Sequence, residues 1–572
     1  MKKLYPIYIN RKSPCYSRDH LGNSGCPARN DIPRFLHLTK LRRFEEAFYI
    51  LKKTNPFSAG CGRFCDHPCE IACNRAKFDD PVDIKALERF IADWGYKKGL
   101  KPVITGSFKN KQVAVLGSGP SGLSCAYFLA VNGYKTTVFE EHEKAGGLLS
   151  EGIPAYRYPR DVFDKELDFI KQSGVEIITD HIIDKNRFLD LAVEFDAVIV
   201  ATGAAEANLP GIEGEMLNGV ENGISFLKNI NLGNVGKENI KKNERIAIIG
   251  GGYTAFDVAR ISVRFGCKPV IIYRRTGNEM TAHPGEIEEA HKEGVEFRFL
   301  LQPYKIIKKN NKLSLMCQQM KLGPVDESGR AKPIPVKDHL EEYEFDRIIM
   351  AIGDRPNLSF VGERFTLEYP RLNCPDLPIN VRDRIFLTGD AAMGSVESVG
   401  MVVRAIGLAQ DTVGAVREYL GERLKKDDNV RDIAYYHNLN TKYFDRISRI
   451  VEQSLSFVDR KGNLNEVVKT IDEDLAVFMA DRCFYCGICI QCDWCYFYSN
   501  GSIVKIDKPW DQSMDAFFYY YLKDKLQTAS FKSVEACPRV ALSVIKDESK
   551  YKTYLAKQYI ETKDLLEEVK ND

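Results

Sequence analysis

The feature that most constrains the fold of this chain is a pair of strand–turn–helix signatures in its middle. From Lys111, KQVAVLGSGP is followed by SGLSCAYFLAVNGY and KTTVFEE, an apolar strand, a glycine turn, an apolar helix and a second strand. A second unit begins at Glu244, with RIAIIGGG, YTAFDVARISVRFG and KPVIIYRR. Strand, crossover helix and strand make a βαβ unit whose strands lie parallel. Two in succession predict an α/β centre with two Rossmann-like dinucleotide-binding domains.

The glycines give these units their chemistry. Gly117, Gly119 and Gly122 form G-x-G-x-x-G between strand and helix, where the bare backbone lets a pyrophosphate approach the helix N-terminus. The following strand ends at Glu140, whose carboxylate suits a ribose hydroxyl. The second turn carries Gly250, Gly252 and Ala255, the variant with alanine at the strand–helix contact. Its second strand ends in Tyr273, Arg274 and Arg275 where an NAD site would carry an acid, so guanidinium groups are available for a 2′-phosphate. NADPH is favoured and NADH is the alternative; the competing reading makes the two arginines a solvated strand end. Further on, RIFLTGDAAM ends an apolar run with Gly389 and Asp390 and leads into a helix-like segment.

Cysteine is the other informative residue. Of sixteen, six fall at Cys15, Cys26, Cys61, Cys65, Cys69 and Cys73, and six at Cys483, Cys486, Cys489, Cys492, Cys495 and Cys537. The start of the chain has no continuous apolar run or small-residue cleavage site, so the cytoplasm is the expected location and metal or cluster ligation the expected use of the thiols. Cys125, Cys267, Cys317 and Cys374 are isolated, which leaves no dithiol for a flavin-linked disulfide exchange. With 81 Lys and Arg against 79 Asp and Glu there is no bulk charge to attract nucleic acid, and no apolar stretch is long enough for membrane insertion.

The middle of the chain resembles the two-dinucleotide flavoprotein reductases, in which FAD occupies the first fold, the nicotinamide cofactor an inserted second fold, and the Asp of a late Gly-Asp element, here Asp390, holds the flavin ribityl chain. More specifically, NPFSAGCGRFCDHPCEIACNRAKFDDPVDIKALERFIADWG, GIPAYRYPRDVFDKEL and YRRTGNEMTAHPGEIEEAHKEGVEF resemble the glutamate synthase small-subunit family over residues 13 to 420. The resemblance implies a helical [4Fe–4S] domain at 1–108, an FAD domain at 109–205 and 375–425, an inserted NAD(P) domain at 206–374, a helical linker at 426–475 and a ferredoxin-like α+β domain at 476–572. It also implies that Cys26, Cys65, Cys69 and Cys73 hold one cluster. Cys61 is then a spare and Cys15 a free thiol, since no cysteine precedes Cys15 to complete the family's other N-terminal cluster.

The tail RCFYCGICIQCDWCYFYSNGSIVKI resembles a ferredoxin-like domain. In that register Ser499, Gln527, Ser530 and Ser533 stand where one cluster has lost its ligands, and Cys489, Cys492, Cys495 and Cys537 keep the other. Cys483 and Cys486 stay open as ligands in a shifted register. The expectation is therefore FAD, NADPH and two [4Fe–4S] clusters in an oxidoreductase subunit of a hetero-oligomer that passes electrons to a ferredoxin-type or dedicated reductase partner. A glutamate synthase small subunit is the alternative enzyme. A non-catalytic relay or scaffold is the alternative of another class, kept open by Tyr253, where the family commonly has Asn.

Overall fold

Two parallel sheets form the centre. In the computed structural model the described residues are 4–6, 11–16, 25–204, 206–233, 240–326, 329–362, 364–374, 382–394, 400–424, 433–488, 490, 492, 494–499, 501–505, 519–522 and 537–539. The first sheet runs in the order Thr366–Glu368, Arg371–Asn373, Ile385–Leu387, Ala197–Val200, Gln112–Leu116, Lys135–Phe139, Glu176–Ile178, parallel from Ile385–Leu387 onward. Ala197–Val200 is buried along its whole length, as expected of a strand covered on both faces. The second sheet, Glu296–Phe299, Lys268–Tyr273, Arg245–Ile249, Arg347–Met350, Val220–Asn222, is parallel throughout. A three-stranded antiparallel sheet of Leu301–Lys309, Lys312–Val325 and Ala331–Phe345 packs beside it.

The chain leaves the first sheet after Ala197–Val200 and crosses on a short ribbon, Glu206–Ala207 paired with Asp354–Arg355. It is back in the first sheet by Thr366–Glu368, so the return comes earlier than the expected boundary at 375. Ahead of the sheets stand the helices Ile32–Lys40, Phe44–Lys52, Ser58–Phe64 and Ile84–Lys97. The Asp31 side chain caps the first by accepting from Arg34 N. Glu166, from the helix Arg160–Gln172, accepts from Ala59 N (2.7 Å) and Gly60 N (3.1 Å), closing the N-terminus of the short helix that ends in the cysteine loop.

The expected helical linker is a correction. Among the described residues between 433 and 472 there are only single 3-10 turns, Tyr436–Asn438 and Thr441–Tyr443. This stretch is a strap whose polar groups find partners on other elements. Arg449 pairs with Glu70 and Asp83, Glu466 with Arg63 and Arg89, Arg460 with Glu289 and Glu293, and Val467 N donates to Tyr156 O. Backbone groups bond outward too, Ile447 N to Asp79, Arg449 N to Asp80 and Val468 O to Arg89, where a helix would have paired them internally. An early and a late segment pair: Leu4–Pro6 runs antiparallel to Tyr519–Leu522, which pairs with Ile503–Lys505. Most of the expected ferredoxin-like segment, with Cys489, Gln527, Ser530 and Ser533, lies outside the described residues.

Candidate functional site: two nucleotide cradles and a thiol-lined loop

Two glycines of the first turn are required by close backbone contacts and the third leaves an open face. Gly117 has φ +102°, and a Cβ there would lie 2.6 Å from Ala201 O. A Cβ on Gly122 would lie 2.0 Å from Gly117 O, so the helix Pro120–Val131 packs on the turn only without a side chain. Gly119 has nothing within 4 Å of such a Cβ; it is the open face of the cradle at the helix N-terminus. Glu140 is buried beneath it, accepting from Ser118 N (2.9 Å), Ser118 Oγ (2.5 Å) and His142 N (3.0 Å). Its carboxylate is thereby fixed beside the turn, where a ribose would lie.

The second cradle follows the same geometry. Gly250 has φ +144° and no room for a Cβ, which would meet Ala351 O at 2.1 Å; Gly252 is open except for Thr281 Oγ1 at 3.4 Å; Ala255 is fully buried. The two arginines separate. Arg274 is exposed at the strand end, whereas Arg275 is buried, donates to Ala331 O (2.7 Å) and pairs with Asp326 (2.7 Å). Arg275 therefore fastens the antiparallel sheet instead of facing the cradle mouth, which corrects its expected phosphate role. Tyr253 opens the helix of this cradle; its hydroxyl donates to Asp66 and accepts from His283 N (3.0 Å). That bond ties the nucleotide turn to the cysteine loop and has no signal in the sequence beyond the unusual tyrosine.

Gly389 has φ +63°, with Ser121 Oγ 2.3 Å from where its Cβ would be, so the Gly-Asp element lies against the first cradle. Burial pushes the Asp390 carboxyl up, opposed by the bond it accepts from Gly400 N (2.8 Å). From there the helix Val402–Tyr419 runs directly to the cysteines. Val403 lines a small cavity with Cys26, Cys65, Cys69, His67 and Glu88, and a Cβ on Gly407 would fall 2.3 Å from Pro27 O. Gln410 Nε2 donates to Ala28 O and Thr54 O (2.7 Å each), and Arg29 pairs with Asp411, so the loop after Cys26 is clamped on this helix.

The thiols form two groups. Cys26, Cys65 and Cys69 share the cavity just described, where Glu88 Oε1 is held by Asn30 and Asn55 (2.9 Å each) and Oε2 lies 3.6 Å from His67 Nε2. Glu88 is a buried carboxylate on this wall that the sequence reading missed. Burial pushes the Cys26 thiol up, and Glu88 adds to it, so thiolates here need the positive charge that iron supplies. Cys61 is buried nearby, beside Asn55. Cys73, expected in the same set, does not line the cavity; it stands on the far side of its turn with Cys15, Cys483 and Cys486. In the tail, Cys492 is exposed and faces Arg539 (3.7 Å), Cys495 is buried and Cys537 partly so. Ser499 is turned inward, donating to Tyr496 O (2.8 Å) and accepting from Ile503 N (3.2 Å).

Residues 111–412 match the pyridine nucleotide-disulphide oxidoreductase family, and residues 10–100 match dihydropyrimidine dehydrogenase domain II, 4Fe-4S cluster. Among curated proteins, the chain is 33% identical over 518 residues to the NADPH-Fe(3+) oxidoreductase subunit beta of Geobacter sulfurreducens, covering 83% of this chain and 75% of that one. It is 32% identical over 520 residues to the NADP(+)-dependent formate dehydrogenase subunit beta of Moorella thermoacetica, covering 83% and 70%. It is 32% identical over 417 residues to the glutamate synthase [NADPH] small chain of Escherichia coli K12, covering 69% and 87%. With two glycine cradles, an inserted second sheet and a cysteine loop clamped on the flavin-side helix, the chain belongs to the glutamate synthase small-subunit family of pyridine nucleotide-disulphide oxidoreductases, as an oxidoreductase using FAD, NADP(H) and [4Fe–4S] iron–sulfur chemistry.

Proposed function

We propose that the chain is the NADPH-accepting subunit of a hetero-oligomeric reductase, with electrons entering at the second cradle and leaving through iron–sulfur centres to a ferredoxin-type or dedicated reductase partner. The observation that carries this reading is the Val402–Tyr419 helix. One end follows Gly400, the donor to Asp390, and within two turns the same helix lines the Cys26 cavity and presses on Pro27. One helix thus links the proposed flavin-holding segment to the proposed iron-holding cavity.

Bound in these sites, FAD would supply two-electron hydride chemistry and iron–sulfur centres one-electron transfer. The chain's own work is binding and orientation. The N-termini of Pro120–Val131 and Tyr253–Arg264 hold the two pyrophosphates. Glu140 accepts from the flavin-nucleotide ribose, Asp390 from the ribityl hydroxyls, and Arg274 takes the 2′-phosphate that selects NADPH. Cys26, Cys65 and Cys69 supply three thiolates of the nearer cluster, with Glu88 the further donor on its wall. Cys489, Cys492, Cys495 and Cys537 are the ligands of a tail centre facing the partner. The NAD(P) domain spans roughly 206–355 and the tail domain begins near 476.

Anaerobic titration with NADPH in the absence of partner tests this. Flavin absorbance should bleach and reduced-cluster signals should follow in electron paramagnetic resonance. Failure of NADPH to bleach the flavin would leave the relay reading, and bleaching with no cluster signal at any NADPH excess would remove the proposed exit. The glutamate synthase alternative is excluded if glutamine and 2-oxoglutarate with a large subunit yield no glutamate.

A further inference from the structure

Three segments far apart in the chain bring four thiols to one place. Cys15 comes from the N-terminal segment, Cys73 from the turn after Pro68–Ile71, and Cys483 and Cys486 from the loop after Glu473–Asp481. Cys15, Cys483 and Cys486 are buried, Cys73 is partly so, and none is in a disulfide. The segments are locked in place. Arg11 N donates to Gly487 O (3.1 Å), Ser13 Oγ to Cys486 O, Ala434 N to Lys12 O (3.0 Å), and Arg482 pairs with Asp83 (3.1 Å). A Cβ on Gly487 would lie 2.7 Å from Arg11 O, so the closeness of the two segments is built into the backbone.

Buried cysteine is often mere packing, but here the surroundings are those of sulfur ligands. Asn74 Nδ2 donates to Cys486 Sγ (3.2 Å) and Tyr485 N donates to Cys483 Sγ (3.3 Å). The second bond repeats a device in the Cys26 cavity, where His67 N donates to Cys65 Sγ at the same 3.3 Å. In both loops the donor is the second residue after the cysteine and is held left-handed, with φ 50° at His67 and φ 51° at Tyr485. A non-glycine residue holds that conformation against backbone strain, and in both places it aims an N–H at a sulfur. Arg539, whose carbonyl accepts from Gly487 N (2.7 Å), brings positive charge beside Cys483 and Cys486. Among the described residues no three His, Cys, Asp or Glu side chains sit as close together as one metal ion requires. A four-iron cubane, with each thiolate on its own iron, spaces its ligands more widely.

We infer that Cys15, Cys73, Cys483 and Cys486 together hold a [4Fe–4S] cluster, distinct from the centre at Cys26, Cys65 and Cys69 and from the tail cysteines. Cys69 and Cys73 lie four residues apart on one turn, so this cluster stands next in line after the flavin-side centre. The inference deepens the proposed electron route and rests on it for the cluster's role, while its existence is read from iron alone. Cys15 then has a partner set after all, and Cys483 and Cys486 belong with the N-terminal domain and not to a shifted ferredoxin register.

The test is iron and acid-labile sulfide per bound FAD in anaerobically purified full-length protein. Cys15→Ala and Cys483→Ala should each remove about four irons and four sulfides with FAD retained, and Cys317→Ala, an equally buried thiol in the antiparallel sheet, should remove none. Unchanged iron in both variants would overturn the proposal, as would loss of zinc without sulfide. Should a variant lose FAD as well, a full chain with Cys489, Cys492, Cys495 and Cys537 all changed to Ser decides the matter. It should still hold about eight irons, and about four would refute the site. NADPH bleaching of the flavin is read separately, so failure of the electron-entry reading and failure of this one are distinguishable.

Discussion

Gly407→Ala probes the contact on which the electron route depends. The added methyl would fall 2.3 Å from Pro27 O and 3.1 Å from Pro27 C, where ordinary contact begins near 3.4 Å. The obstacle is backbone, in the residue that follows Cys26, and that backbone is fastened by Gln410 to Ala28 O and by the Arg29–Asp411 pair. No flexible side chain can give way, so helix and loop must part by about 1 Å, a strain on the order of 1 to 3 kcal/mol. Replacing glycine inside a helix returns about 1 kcal/mol. The net cost of about 0 to 2 kcal/mol leaves the chain folded and loaded with FAD. It moves Cys26 against Cys65 and Cys69, however, and disturbing the supports of metal ligands typically weakens metal affinity about 10- to 100-fold. Stopped-flow should show NADPH bleaching the flavin at the unmodified rate, while iron content falls and NADPH-driven reduction of a one-electron acceptor drops at least about tenfold. Normal iron and normal acceptor reduction would refute the claim that this helix positions the cluster loop, and joint loss of FAD and iron would reduce Gly407 to a packing residue of the whole fold.

Arg274→Ala should lower kcat/KM for NADPH by about tenfold or more, since a charge-assisted bond is worth ~1.5 to 3 kcal/mol, and spare NADH. Arg275→Ala should instead lower thermal stability by a few degrees and affect both nucleotides alike, because its partners are Ala331 O and Asp326. Gly119→Ala should fold normally yet retain little FAD in gel-filtered protein, as its methyl enters open space in the cradle, whereas Gly122→Ala should also lower the melting temperature through its 2.0 Å approach to Gly117 O. For Glu293, burial opposes the charge, but bonds from Arg260 and Arg264 more than offset it and hold the carboxyl down at about 2, against 4.5 unfolded. That depression contributes about 3 kcal/mol, complete above pH 4.5 and lost as pH falls toward 2. Denaturant melts between pH 5 and pH 3 should show the slope, and Glu293→Gln should flatten it.

What the sequence made legible was local. The glycine turns and the acid or base at the end of the next strand lie within about thirty residues of one another, so the motif shows in the sequence even though the carbonyls that crowd Gly117 and Gly250 come from Ala201 and Ala351, much further along. Arg275 escaped because its partners arrive with the antiparallel sheet, some fifty residues later. Spacing alone could not say that Cys73 turns away from Cys69, since which side of a turn a thiol faces depends on what packs there. Glu88 reads as one polar position on an amphipathic helix, and only the fold brings it to Cys26. The strap was misread because its order comes from Arg449, Arg460 and Glu466 reaching other elements, which leaves no period in the sequence.

The clasp between Arg11 and Gly487 has a consequence for how the protein is made. Every residue lining the Cys26 cavity except Val403 lies within the first ninety or so positions, so those thiols can be gathered while most of the chain is still being synthesised. Cys15 and Cys73 have no such early completion: the two thiols that join them are encoded more than 400 residues after Cys73, so both wait until the loop at Cys483 has emerged. On the inferred ligand set, assembly is therefore ordered in time, and a chain that stops short of Cys483 has the flavin-side thiols in place while Cys15 and Cys73 lack half of their set.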